Sequence, residues 1–220
     1  MKLCNYQTLV FDCDGVVLNS NKVKTEAFYQ VALRFGEDAA RRMVEYHVAR
    51  GGVSRYLKFE WLLQQVVGTA DPVLLGQLLQ SYSEEVHQGL LTCDIAPGLV
   101  ELRAMTDAAN WLIVSGGDQN ELRTVFAQRG IASLFDGGIF GSPDTKEVIL
   151  AREMSQGNIK TPALFLGDSQ YDHQASAAAG LDFVFLSGWS EFSGFRPYCD
   201  LHQIKITDSI STIVNRLQNE

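Results

Sequence analysis

Four clusters of polar residues stand directly behind apolar runs or at the start of a helix, and their side chains are types that can handle a phosphate group. The first is Asp12-Cys13-Asp14-Gly15, which follows Thr8-Leu9-Val10-Phe11. Carboxylates spaced this way can converge on one cation. Hard oxygen ligands suit Mg²⁺, which takes one or two carboxylates together with water and substrate phosphate. A cation beside Asp12 would keep it ionised, and an ionised carboxylate can attack phosphorus and carry the group as an aspartyl-phosphate. Asp14 is then placed as the acid/base that protonates the leaving oxygen and later activates water. Gly15 frees the chain to turn out of the strand. The second cluster, Ser115-Gly116-Gly117, follows Trp111-Leu112-Ile113-Val114 and offers a hydroxyl and exposed N–H groups to phosphate oxygens. The third, Ser142-Pro143-Asp144-Thr145-Lys146, opens a helix, and Lys146 can balance the charge of a transferring phosphoryl group. The fourth, Gly167-Asp168-Ser169-Gln170-Tyr171-Asp172, follows Ala163-Leu164-Phe165-Leu166. Asp168 would complete a metal site, and Asp172, one helical turn on, would be a ligand or orient one.

Singly, each cluster reads equally well as a turn or a helix cap. Their common placement is what matters. Apolar runs without alternation suit strands buried on both faces of a parallel sheet. Further strands are expected at Gly138-Ile139-Phe140 and Phe183-Val184-Phe185-Leu186, with Ile204-Lys205-Ile206 at an edge. Helical spacing of apolar residues fills the gaps over Pro97–Ala109, Asn120–Arg129, Lys146–Met154 and Gln174–Ala179. Strands alternating with helices predict an open, doubly wound α/β sheet, whose ligands bind beyond the carboxyl ends of the strands.

One region breaks the alternation. Between Ser20 and Leu91 no strand is expected, only helices over Lys24–Arg34, Asp38–Val48, Arg55–Val67 and Pro72–Gln88, joined at Gly36, Gly51-Gly52 and Gly68. The chain is therefore expected to divide into an α/β core of residues 1–18 and 92–220 and a helical cap of residues 19–91. Within the cap, Arg50-Gly51-Gly52-Val53-Ser54-Arg55 is a flexible loop carrying two guanidinium groups suited to anionic or hydroxyl groups of a substrate. Arg55 has a rival role as the partner of Glu60 or another surface acid. His47, Lys58 and Lys24 are further residues expected to face the cleft.

The 220 residues are 46% apolar and 20% charged, an ordinary globular composition. The net charge of -8 argues against nucleic acid or an anionic membrane as the main partner, because both reward a basic surface. Cys4, Cys13, Cys93 and Cys199 form no C-x-x-C pair and are expected to be free thiols in a reducing compartment, the cytoplasm. The first residues contain no long apolar run, so neither a signal peptide nor a membrane span is expected there.

Taken in order, D-x-D-G, a strand ending in S-G-G, the later lysine and a strand ending in G-D-S-x-x-D resemble the four motifs of the haloacid dehalogenase superfamily, over nearly the whole chain. The insert resembles that family's helical cap subclass, which includes phosphoglycolate phosphatases and β-phosphoglucomutases. The resemblance implies a Rossmann-like parallel sheet with an inserted helical cap. It implies Asp12 as nucleophile and metal ligand, Asp14 as acid/base that ligates through its backbone carbonyl, Ser115 and Lys146 as a phosphate-holding pair, and Asp168 as a ligand of Mg²⁺. Gly116, Gly117, Arg50, Gly52 and Arg55 are then candidates for substrate binding. The implied activity is hydrolysis of a small phosphorylated metabolite, such as a sugar phosphate, by a monomer or homodimer. Asp14 favours phosphate esters, because members resembling dehalogenases or phosphonate hydrolases lack a carboxylate there. Gly52-Val53-Ser54-Arg55 is similar to the substrate-selecting loop of the β-phosphoglucomutase subgroup, so a phosphomutase is the alternative within this chemistry. A non-catalytic binding protein on the same fold is the alternative outside it. Two positions depart from the family pattern: Asn19-Ser20 where relatives read Asp-Ser or Asp-Thr, and Glu147 where many have Pro after the lysine.

Overall fold

A computed structural model describes residues 3–219. In chain order the elements are β1 (Thr8–Phe11), α1 (Asn21–Ala32), α2 (Glu37–Ala49), α3 (Arg55–Trp61), α4 (Pro72–Thr92), α5 (Leu99–Met105), β2 (Asn110–Asp118) and α6 (Gln119–Gln128). They continue with β3 (Gly138–Ser142), α7 (Lys146–Ser155), β4 (Ala163–Gly167), α8 (Gln170–Ala178), β5 (Asp182–Leu186), α9 (Phe195–His202), β6 (Lys205–Thr207) and α10 (Ile210–Gln218). The strands form one parallel sheet in the order β3-β2-β1-β4-β5-β6. This is a Rossmann-like α/β core, and the block between β1 and β2 is wholly helical.

The apolar runs make strands because both faces of the sheet are covered. Successive side chains point to opposite faces. Leu9, Phe11, Trp111, Ile113, Leu164 and Leu166 accordingly enter one buried cluster, while Val10, Leu112, Val114 and Phe165 enter a second on the other face. The first cluster runs on without a break into the helical block, through Phe28, Met43, Phe59, Leu78 and Tyr82. Helix starts after three of the strands are fixed by side-chain caps, which satisfy N–H groups left unpaired by the helix. Asp118 caps α6, Thr145 caps α7, and Ser169 with Asp172 forms a reciprocal capping box on α8.

Several elements differ from the sequence expectation. The helix expected over Pro97–Ala109 is only α5, Leu99–Met105; it stops at Thr106, whose hydroxyl turns back to the Leu102 carbonyl at 2.8 Å. The helix expected over Arg55–Val67 changes character at Leu62 and continues as a wider π-type turn, Leu62–Val67. Helix α4 runs on to Thr92, beyond the expected Gln88. Strand β2 reaches Asp118, so Ser115-Gly116-Gly117 continues the strand instead of leaving it, with a register shift against β3 between Val114 and Asp118.

The chain enters and leaves the helical block at one place. Leu18 bridges antiparallel to Ile95, the Asn19 N–H donates to the Asp94 carbonyl at 2.9 Å, and the Ala96 N–H donates to the Val17 carbonyl at 2.9 Å.

Candidate active site

All four clusters arrive at the carboxyl end of the sheet. Asp12 directly follows β1, and its N–H still donates to the Leu166 carbonyl of β4 at 2.9 Å, which fixes the carboxylate between the two central strands. Gly15 then turns the chain away with φ +75; a Cβ at that position would overlap the Asp168 carboxylate. The sharp exit therefore also makes room for a second acid.

Lys146, at the start of α7, is fully buried, and its ammonium donates to Asp12 Oδ1 at 2.8 Å and to Asp172 Oδ1. Asp172 is held on its other oxygen by the Asp168 N–H (3.2 Å), the Ser169 N–H (3.0 Å) and the Ser169 hydroxyl (2.6 Å). Asp168 follows β4 and accepts from Asn21 Nδ2 at 2.7 Å. Asp14 accepts from the Lys24 ammonium at 2.5 Å and the Ser20 hydroxyl at 2.6 Å. Asp12, Asp168 and Asp172 each offer an oxygen within 4.8 Å of the others.

The electrostatics follow from burial. Desolvation, with the Asp172 and Asp14 charges nearby, pushes the Asp12 carboxyl up to about 7 against the pull of Lys146. Desolvation and the charges of Asp172 and Asp12 push Asp168 well above the usual carboxylate range. Burial acts on Asp14 in the same sense, but the Lys24 ammonium and the Ser20 hydroxyl outweigh it and hold that carboxyl below its ordinary value. The Asp12 and Asp172 charges raise Lys146 despite its burial, so it stays an ammonium.

These groups border a cavity of ≈ 480 Å³ between the sheet end and the helical block. Asp12, Asp14, Asp168, Gly116 and Gly117 line it from the core side, and Arg50, Gly52 and Arg55 from the helical side. Lys146 lies behind Asp12 and borders an adjoining cavity of ≈ 390 Å³. Ser115 lines neither cavity: it is fully buried, and its hydroxyl accepts the Gly117 N–H at 3.0 Å. A Cβ on Gly116 would overlap the Gly52 carbonyl, so the loop from the helical block rests backbone to backbone on β2.

Arg50 is exposed, with its guanidinium 5.7 Å from the Tyr46 ring centre. Arg55 is buried, and its partner is not Glu60 but Glu121 of α6, contacted by both terminal nitrogens, one at 3.1 Å; the first of these also donates to Ser83 at 3.0 Å. Next to it the Tyr56 hydroxyl donates to Asp118 at 2.7 Å. Sequence reasoning missed Glu121, Asn21 and Ser190, the last of which donates to the Asp168 carbonyl at 2.6 Å. Ser190 lies just past β5, so the strand-end rule that found the other clusters carries a signal for it. Asn21 and Glu121 sit inside ordinary helical sequence and carry none.

The model of the family described as hydrolase, haloacid dehalogenase-like hydrolase, matches residues 6–180. No curated protein matches the chain in sequence. Among solved structures, the fold is similar to a putative phosphoglycolate phosphatase from Lactobacillus plantarum, at 20% identity and TM-score 0.72 over 96% of this chain and 99% of that one. It is similar to β-phosphoglucomutase from Clostridium difficile, at 18% identity and TM-score 0.72 over 93% of this chain and 92% of that one. It is also similar to CbbY from Rhodobacter sphaeroides, solved with xylulose-(1,5)bisphosphate, at 16% identity and TM-score 0.67 over 93% of this chain and 95% of that one. With the family match spanning most of the chain and the four motifs gathered at one sheet end, this protein belongs to the haloacid dehalogenase-like hydrolases.

Proposed function

We propose that the protein hydrolyses a small phosphomonoester with the help of Mg²⁺, through an aspartyl-phosphate on Asp12. The observation that carries this reading is the charge balance at the sheet end. Among the described residues Asp12, Asp14, Asp168 and Asp172 have only Lys24 and Lys146 as direct cationic partners, which leaves an excess of two negative charges when all four are ionised. A divalent cation balances that excess, and an all-oxygen donor set suits Mg²⁺. Asp12 and Asp168, with the Asp14 carbonyl, are the groups to hold it. Asp172 has both oxygens engaged, by Lys146 and by the start of α8, so its part is to lock Lys146 against Asp12. When bound, the ion would keep Asp12 ionised and draw charge from the phosphoryl oxygens.

The protein's own groups do the rest. Lys146 and the Gly116 N–H hold the phosphoryl oxygens, and Ser115 braces that end of β2 by accepting the Gly117 N–H. Asp12 attacks phosphorus, the bond to the ester oxygen breaks, and the proton that the departing alkoxide needs comes from Asp14. A water then attacks the phosphoryl group, Asp14 takes its proton, and inorganic phosphate leaves Asp12 free. Lys24 and Ser20 favour the carboxylate of Asp14, which suits the second half of the cycle; for the first half Asp14 must bind a proton from solvent before the ester bond breaks.

The division into a core of residues 1–18 and 92–220 and a cap of residues 19–91, and a cytoplasmic location, belong to the same proposal. No helix among the described residues is long and apolar enough to cross a membrane. The phosphomutase alternative leaned on the Arg55 loop. With the Arg55 guanidinium engaged by Glu121, hydrolysis is the reading the geometry favours. The test is hydrolysis of a generic aryl phosphate with Mg²⁺ by wild type and Asp12→Asn. The variant is expected to lose at least about 10³-fold in kcat, and chelation of Mg²⁺ is expected to stop the wild type. Undiminished turnover in Asp12→Asn refutes the mechanism.

A further inference from the structure

Four cationic side chains are buried among the described residues: Lys24, Arg55, Lys58 and Lys146. Three of them have a carboxylate partner, Lys24 on Asp14, Arg55 on Glu121, and Lys146 on Asp12 and Asp172. Lys58 has none among the described residues. It is 2% exposed, its ammonium meets His47 Nδ1 at 2.7 Å, and it lies 5.4 Å from the Phe28 ring centre. Asp14 and Glu191 on the cavity wall act on it only through space and do not offset its burial and the Lys24 charge, which push the Lys58 ammonium down to about 7. Asp14 is taken by Lys24 and Ser20, and Glu191 by the Thr25 hydroxyl at 2.7 Å.

His47 cannot supply the missing charge. It is buried against the Phe28 ring, and desolvation together with Lys58 and Lys24 holds its imidazole well below its ordinary value. It is therefore neutral, and its Nδ1 accepts one Lys58 proton. The other two ammonium N–H groups have no acceptor among the described residues. A buried ion without a counter-charge is strongly disfavoured. Both residues line the larger cavity from the helical side, on α2 and α3, with Asp14 close enough to act on Lys58 through space.

We propose that Lys58 and His47 form a subsite for a second anionic group of the substrate. The substrate is then a phosphomonoester that carries a carboxylate or a second phosphate at the end remote from the group transferred. This rests on the phosphatase reading above and narrows it. Lys58 offers two N–H groups to the oxyanion and His47 holds the ammonium in place. Substrate binding supplies the counter-charge that the fold omits. A neutral sugar end would leave the ammonium as unbalanced as it is without ligand.

The test compares matched pairs with the Mg²⁺-loaded enzyme: a phosphorylated hydroxy acid against the neutral phosphorylated diol, and a sugar bisphosphate against the monophosphate. In the wild type, kcat/KM is expected to favour one anion-bearing member by about 10- to 100-fold, carried by KM, and the pair that shows it tells carboxylate from phosphate. Lys58→Met is expected to collapse that ratio towards one, and Lys58→Arg to restore most of it. A wild type with no preference in either pair overturns the subsite, even if the Met variant fails to fold. So does a Met variant that loses both members of a pair alike and keeps the ratio, which is the mark of a structural lysine. Calorimetric binding of the same pairs to Asp12→Asn with Mg²⁺ needs no turnover. Equal affinities there overturn the subsite, whereas surviving hydrolysis in Asp12→Asn overturns the phosphatase mechanism instead.

Discussion

Asp12 and Asp14 are close neighbours in the chain, yet their surroundings push them in opposite directions. Burial and neighbouring acids raise Asp12 to about 7, while Lys24 and Ser20 hold Asp14 below its ordinary value. These tendencies run against the proposed roles, so a bound cation would be needed to keep Asp12 ionised as the nucleophile, while Lys24 favours the carboxylate of Asp14. Lys24 makes much of the difference, and nothing in the D-x-D-G motif reveals it. The sequence places Lys24 near the cleft, but its pairing with Asp14 depends on how α1 packs over the strand end. Replacing it tests the pairing. In Lys24→Met the carboxyl of Asp14 keeps only its hydroxyl donor, so its pKa rises. Asp14 must be ionised to take a proton from the water that attacks the phosphoryl-enzyme, so where that half of the cycle limits turnover, activity develops at higher pH. The acidic limb of the kcat–pH profile is expected to move up by about one unit, measured with Mg²⁺ saturating. A limb that stays in place, or moves down, means that Lys24 does not set the state of Asp14.

At the level of elements, the strands were legible because a parallel sheet buries both faces and writes that into runs such as Trp111-Leu112-Ile113-Val114. The helical block was legible because no such run interrupts residues 20–91. The extension of β2 through Ser115-Gly116-Gly117 was not, since glycine is a poor strand former and the segment shifts register against β3 between Val114 and Asp118. The bond between Arg55 and Glu121 was equally hidden: the residues are 66 positions apart, on helices from different halves of the chain. These unreadable features all concern how the helical block meets the core. Gly116 tests that meeting. A Cβ there would overlap the Gly52 carbonyl, so Gly116→Ala displaces the loop over the nucleophile without touching the packed core. Misplacing such a loop is expected to lower kcat/KM by about 10- to 100-fold, with little change in the melting temperature. Unchanged kinetics would mean that the loop is not seated on β2 during turnover.

For the molecule as a whole, the proposed metal site at the sheet end would link folding to metal. Unfolding separates Asp12 from Asp168, so an ion that both hold stabilises only the folded state. At free Mg²⁺ about a hundredfold above its Kd the gain is about 2.7 kcal/mol, which raises the melting temperature by roughly 5–10 °C for a chain of this size. Asp168→Asn is expected to abolish the shift, as read by scanning calorimetry with Mg²⁺ or chelator. An equal shift in that variant would place the ion elsewhere. The antiparallel bridge between Leu18 and Ile95 has a different kind of consequence. The two chain ends of the helical block leave the core hydrogen-bonded to each other, about 5 Å apart, as adjacent strands are. Any folded segment whose own termini lie that close can be carried between β1 and α5 without stretching either. On the proposed division into core and cap, the junction is a splice point: the helical block can be exchanged as a cassette, and the strand ends need not be re-evolved.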